Sequence, residues 1–211
     1  MTTSSSRRHI VFDFGAVVFR WRPAQMLMRE LPHLAPDEAQ GAHWASQIFQ
    51  SYGGDWADFD RGAVSVPELV ARIGQRTGLG AADVQTAIDG VARELQAQPD
   101  MVALLRRLHG AGHPLHYLSN MPAPIANALE ARNPFMACFD SGVFSARVGL
   151  IKPDPAIFLL AAERFGAAPA ELVFIDDHPP NIAAARALGW DGFVFTGAEQ
   201  AQAELAARGL R

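Results

Sequence analysis

Leu172-Val173-Phe174-Ile175-Asp176-Asp177 is an unbroken run of four apolar residues that ends on two adjacent acids. Such a run, without polar alternation, predicts a strand buried on both faces, the kind a parallel sheet requires. Upstream, Asp154 and Pro155 open a helix that places Phe158, Leu159, Ala162 and Phe165 at helical spacing, and Gly166 stops it. Downstream, a helical pattern over 182–188 stops at Gly189 and gives way to a strand at Phe193-Val194-Phe195. The same rhythm extends toward the N-terminus. Pro99 and Asp100 start a helix with Met101, Leu104, Leu105 and Leu108 on one face. After Gly110 and Gly112, Pro114-Leu115-His116-Tyr117-Leu118 reads as a strand ending at Ser119-Asn120. A helix over 125–132 and a short strand at Gly142-Val143-Phe144 follow. Strands alternating with helices predict an α/β fold: a doubly wound, Rossmann-like parallel sheet covered on both faces.

Ile10-Val11-Phe12 repeats the pattern near the start of the chain and delivers Asp13. Residues 22–97 break the rhythm. They hold helical patterns over 24–30, 37–51, 66–77 and 81–95 with no convincing strand, which predicts an all-helical cap inserted after the first strand. The expected organisation is a disordered lead-in over 1–8, a catalytic core from 9–21 and 98–211, and a cap over 22–97.

The chain has 211 residues, 49% hydrophobic and 19% charged, with a net charge of -4, so the balance implies no basic face for nucleic acid. The Ser/Thr-rich start lacks the apolar core of a secretory signal, and no apolar stretch approaches the length of a membrane span. A single cysteine, Cys138, cannot form an internal disulfide; its neighbours Phe135, Met136, Ala137 and Phe139 mark it as a packing residue. A cytoplasmic protein, monomer or homodimer, is expected.

In an open parallel sheet, ligands bind beyond the carboxyl ends of the strands. The residues expected there are Asp13, Ser119, the pair Asp176 and Asp177, and Lys152 from Gly149-Leu150-Ile151-Lys152-Pro153. Acids delivered by separate buried strands cost desolvation unless they share a cation or a proton. Acids, a hydroxyl and a lysine together suit phosphoryl transfer, in which hard oxygens hold Mg²⁺ and a carboxylate attacks in line.

Four segments in this order resemble the motifs of the haloacid dehalogenase superfamily, in the branch with a helical cap. They are Val11-Phe12-Asp13-Phe14-Gly15-Ala16-Val17, Tyr117-Leu118-Ser119-Asn120, Ile151-Lys152-Pro153-Asp154-Pro155 and Phe174-Ile175-Asp176-Asp177-His178-Pro179-Pro180-Asn181. The resemblance implies a Mg²⁺-dependent phosphatase of a small phosphorylated metabolite, with sugar 1-phosphates among the candidates. It implies Asp13 as nucleophile, forming an aspartyl-phosphate. Ser119 would bond a phosphoryl oxygen beside the Asn120 backbone, and Lys152 would bridge the phosphate and Asp13. Asp177, Asp13 and the Gly15 carbonyl would hold the metal, with Asp176 acting directly or through water. Asn181 would support the acidic loop.

Gly15 departs from the pattern. Phosphatases resembling this chain usually carry a second Asp two residues after the nucleophile, which protonates the leaving group. General acid–base help contributes about 10²–10⁴ in rate. Its loss is expected to favour substrates with good leaving groups, with His178 as a partial replacement. Arg20 and Trp21, where the chain leaves the first strand, are expected to face substrate. Trp44, Tyr52 and Trp56 read as the cap's own small core or as stacking surfaces for a ring, with the core preferred. Asp60-Arg61-Gly62 reads as a turn from which Arg61 would reach a polar substrate group, and Arg147 as surface. The alternatives are a metal-independent 2-haloacid dehalogenase and a catalytically weak binding or regulatory relative. The dehalogenase has little use for Asp177, and a receiver-type domain places its acid pair near the N-terminus.

Overall fold

The structure, a computed structural model, describes residues 8–50 and 53–211. Its centre is a five-stranded, wholly parallel sheet in the order β3-β2-β1-β4-β5. The strands are β1 (His9–Phe12), β2 (Leu115–Ser119), β3 (Ser141–Phe144), β4 (Leu172–Asp176) and β5 (Asp191–Val194). Alternation along each strand sends side chains to two separate cores. Ile10, Phe12, Leu115, Tyr117, Val173 and Ile175 face one, while Val11, Leu118, Leu172 and Phe174 face the other. The first face is covered by α6 (Pro99–Gly110), α7 (Ala123–Arg132) and α10 (Ala198–Ala207); the second by α8 (Pro155–Phe165) and α9 (Pro179–Ala187). The doubly wound reading therefore holds, because both strand faces are apolar and each needs its own layer of helices.

The order of strands reverses between β1 and β4. There Asp13 N donates to Ile175 O at 2.9 Å, so the β1–β4 ladder runs right up to the first acid. This is the switch point at which doubly wound sheets open a crevice.

Between β1 and α6 the chain forms five helices: α1 (Pro23–Glu30), α2 (Glu38–Phe49), α3 (Gly54–Asp60), α4 (Val66–Thr77) and α5 (Ala81–Glu94). The sequence signals for α4 are strong: Ser65 and Glu68 form a reciprocal capping box, Pro67 sits in the first turn, and Gly78 closes the helix at φ +78. The helix α3 has no such signals. Its first turn is capped from a distance, Asp55 N donating to Gln50 Oε1 at 3.0 Å, and Trp56, Ala57 and Phe59 are its buried residues. Of the stretch expected to be a disordered lead-in, residues 1–7 lie outside the described residues, and Arg8 is tied to Asp191 at 2.5 Å.

Candidate active site

The ends of β1, β2 and β4 and the loop after β3 bring Asp13, Ser119, Asp176, Asp177 and Lys152 to one edge of the sheet. Lys152 is the hub. Its side chain is almost wholly buried, and Nζ lies 2.8 Å from Asp13 Oδ1 and 2.6 Å from Asp176 Oδ2. The Asn120 side chain fixes the lysine's backbone from both sides: Lys152 N donates to Oδ1 at 2.8 Å and Asn120 Nδ2 donates to Lys152 O at 3.0 Å. Asn120 thus braces the loop carrying Lys152 against the loop after β2.

Asp176 is fully buried and saturated with donors. His178 N reaches Oδ1 at 2.8 Å, Asn181 Nδ2 reaches both oxygens at 3.0 Å, and Lys152 takes Oδ2. A carboxylate has about four acceptor positions, so Asp176 has little capacity left and serves to orient its neighbours. Asp13 and Asp177 carry the available oxygens, and one ligand atom from each of Asp13, Asp176 and Asp177 lies within 4.8 Å of the others.

Three carboxylates share one ammonium here. Burial pushes the Asp13 carboxyl up to about 7; Lys152 opposes the rise, and Asp176 and Asp177 add to it. Burial, then repulsion from Asp176, also raises Asp177. For Lys152 burial acts downward, but its two carboxylate partners outweigh it and hold the ammonium above the usual lysine range. A divalent cation between Asp13 and Asp177 would lower both carboxyls. Hard oxygens in this number suit Mg²⁺, which takes one or two carboxylates and fills the rest of its shell with water and phosphate.

Above these groups lies a cavity of about 370 Å³. Its floor is Asp13, Gly15, Ser119, Asn120, Lys152, Asp177, His178 and Asn181. Its upper wall is mostly apolar, built by Trp21, Phe49, Trp56, Val91 and Leu95, and Met121 and Ile125 extend it toward α7. One carboxyl interrupts that wall: Asp60, the last residue of α3.

A family model described as haloacid dehalogenase-like hydrolase matches residues 24–189. The chain belongs to that family. The hydrolase is 26% identical to a sesquiterpene phosphatase of Aspergillus oryzae, with 88% of each chain covered. It is 24% identical to an (S)-2-haloacid dehalogenase of Burkholderia cepacia, over 70% of this chain and 62% of that one. Its fold superposes, with a TM-score of 0.69 and 19% identity, on a Bacteroides thetaiotaomicron enzyme of the same family in complex with magnesium and inorganic phosphate. That match covers 90% of this chain and 95% of the other. Among the described residues no helix is long and apolar enough to cross a membrane.

The hydrolase brings the expected residues Asp13, Gly15, Ser119, Asn120, Lys152, Asp177, His178 and Asn181 to one cavity, with Asp176 beneath them. Trp21 lines it as expected; Arg20 does not. Arg20 turns away and pairs with Glu94 at 3.0 Å, and Arg29 pairs with the same carboxylate at 3.1 Å. Glu94 is buried, and a buried carboxylate demands cationic partners, so Arg20 is committed to Glu94 rather than to substrate. Trp56 serves both readings, packing edge-on against Phe49 and Phe59 while presenting surface to the cavity. Trp44 stays in the cap, its Nε1 donating to Leu34 O at 3.0 Å. Tyr52 lies outside the described residues. Arg61 pairs with Asp58 at 3.6 Å and is not on the cavity wall. Arg147 is a surface residue bound to Glu130 at 2.6 Å, and Cys138 packs against the core. The sequence reading missed Asp60 and the vault residue Phe49. The available signal was Trp56 and Phe59, three residues apart, but Gly53-Gly54 ahead of them reads as a breaker.

Proposed function

We propose that this hydrolase is a Mg²⁺-dependent phosphatase whose substrate is a phosphate monoester with an apolar body, an isoprenoid monophosphate being the favoured class. The observation that carries the reading is a polar floor of Asp13, Ser119, Lys152 and Asp177 beneath a mostly apolar vault. Lys152 and Ser119 supply the positive charge and the hydrogen-bond donor a phosphate needs, Asp13 and Asp177 would hold the cation that offsets its charge, and Trp21, Phe49, Trp56, Leu95 and Ile125 offer a hydrocarbon little but burial. A sugar would leave most of its hydroxyls against Trp21, Phe49, Trp56, Leu95 and Ile125 without partners, which is costly. The similarity to a sesquiterpene phosphatase points the same way.

In this reading an Asp13 oxygen attacks phosphorus in line, the P–O ester bond breaks, and an aspartyl-phosphate forms. Lys152 holds Asp13 in place and neutralises phosphoryl charge, and the Ser119 hydroxyl donates to a phosphoryl oxygen. Asp176, with its acceptors engaged, keeps Lys152 and Asn181 oriented. Asp13 and Asp177, with the Gly15 carbonyl nearby, would hold Mg²⁺, and Asp176 would reach it through water. When bound, the ion neutralises the non-bridging oxygens of the phosphate. Water then cleaves the acyl phosphate and restores Asp13.

Phosphate release from a panel of monoesters, with and without Mg²⁺, tests this. Farnesyl or geranyl monophosphate is expected to exceed hexose phosphates in kcat/KM, and chelation is expected to stop turnover. Preference for hexose phosphates would sink the substrate class. The second reading, favoured by the similarity to a haloacid dehalogenase, predicts chloride release from 2-haloacids with no metal added.

A further inference from the structure

Gly15 leaves the loop after β1 without a second acid beyond Asp13, yet the cavity holds another. Asp60 lines the same cavity from the cap side. The other acids of α3 are paired, Asp55 with Arg76 at 2.9 Å and Asp58 with Arg72 at 3.1 Å. The Asp60 carboxyl, by contrast, makes no hydrogen bond or ion pair among the described residues.

Its backbone is nonetheless held firmly. The Ser145 hydroxyl donates to Asp60 O at 2.5 Å and accepts from Met121 N at 2.8 Å, so a buried hydroxyl bolts the end of α3 to two core loops. Two residues on, Gly62 adopts φ +74 and lies so close to the core that a Cβ there would meet Ala146 O at 2.7 Å. A carboxyl with a fixed backbone, no hydrogen bond or ion pair of its own among the described residues, and a place on the cavity that holds Asp13 and Lys152 is a positioned acid.

We propose that Asp60 is the proton donor to the leaving oxygen, taking the part of the acid that Gly15 lacks. The assignment rests on the phosphatase reading. As Asp13 displaces the alcohol, the P–O bond pair passes to the leaving oxygen, which takes the Asp60 proton and departs as ROH. The Asp60 carboxylate then takes a proton from the water that attacks the aspartyl-phosphate; phosphate leaves, Asp13 is free, and Asp60 is again protonated. The electrostatics agree. Burial raises the Asp60 carboxyl; Lys152 opposes this, Asp13 adds to it, Arg61 opposes it, and the net value is about 8. The group is therefore mostly protonated at neutral pH, as a donor must be.

The test compares the unaltered protein and Asp60→Asn on an aryl phosphate, whose leaving group needs no proton, and on a primary alkyl phosphate, whose leaving group does. Both are assayed with Mg²⁺. Asp60→Asn is expected to lower kcat/KM for the alkyl ester by about 10²–10⁴ and for the aryl ester by less than about tenfold. A Cβ at Gly15 would meet nothing within 4 Å, so Asp60→Asn combined with Gly15→Asp is expected to recover alkyl phosphate turnover. Equal losses on both esters, or none, would overturn the assignment, as would leaving-group dependence arising in His178→Ala and not in Asp60→Asn. If the unaltered protein releases phosphate from neither ester, the phosphatase reading fails and takes this one with it.

Discussion

The Ser145 hydroxyl donates to the Asp60 carbonyl at 2.5 Å, and this bond joins the end of α3 to the turn that follows β3. Ser145 is fully buried and also accepts from Met121 N, so Ser145→Ala strands a carbonyl and an amide at once. Each buried polar group left unpaired costs about 1–3 kcal/mol. With both groups stranded, the variant is expected to lose about 2–6 kcal/mol in urea titrations and to lose activity on alkyl esters more than on aryl esters. An unchanged midpoint would show that the bond does not hold the cap.

Asp13→Asn removes the attacking oxygen while preserving shape. Turnover is expected to fall to background on every phosphate ester, measured by phosphate release. Retained activity would mean that another group attacks.

Lys152 is the buried ammonium that serves both Asp13 and Asp176. Lys152→Met leaves these carboxylates and Asp177 facing one another, and breaking a buried pair in this way costs about 3–5 kcal/mol. Denaturant unfolding checks the figure. In the unaltered protein, Mg²⁺ at about 100 times its dissociation constant is expected to add about 2.7 kcal/mol of stability. No effect of Mg²⁺ on the midpoint would argue against a metal site at Asp13 and Asp177.

Asp60 predicts a pH dependence with a definite sign. Its carboxyl rises from 3.8 to about 8 on folding, among Lys152, Asp13 and Arg61. The folded chain keeps this proton where the unfolded chain has lost it, so stability falls as pH rises. The contribution is complete below about pH 4 and gone above about pH 8. Asp60→Asn should remove that slope, so the variant gains on the unaltered protein as pH rises through this window. Parallel unfolding curves across pH would contradict it.

Trp21 presents an aromatic face to the cavity and packs edge-on against Phe49 at 5.1 Å. Trp21→Ala is expected to lower kcat/KM for an isoprenoid monophosphate by at least about 10-fold, the low end of what even one lost methylene costs in an apolar pocket. For a small alkyl phosphate the loss should be much less. Equal losses would place the apolar body elsewhere.

The chemistry at the sheet edge was legible because it is local. An apolar run fixes a strand, the residue after the run lies at its end, and parallel packing gathers those ends, which is why Asp13, Ser119 and Asp176 meet. Short-range reading failed where long-range partners decided. Arg20 sits beside Trp21 in sequence, but the buried Glu94, far along the chain, claims it. The helix α3 is capped by Gln50 and seated by burial of Trp56 and Phe59, neither of which overcomes Gly53-Gly54 in a linear reading.

The sequence by itself determined the parallel sheet, the floor of the site and the missing acid at Gly15, since periodicity and strand-end position follow from local geometry. Only the tertiary structure decided that Asp176 is spent on internal donors, that the vault is apolar, and that Asp60 comes over the site. Those depend on which surfaces are buried against each other, and for Asp60 on a hydroxyl 85 residues away.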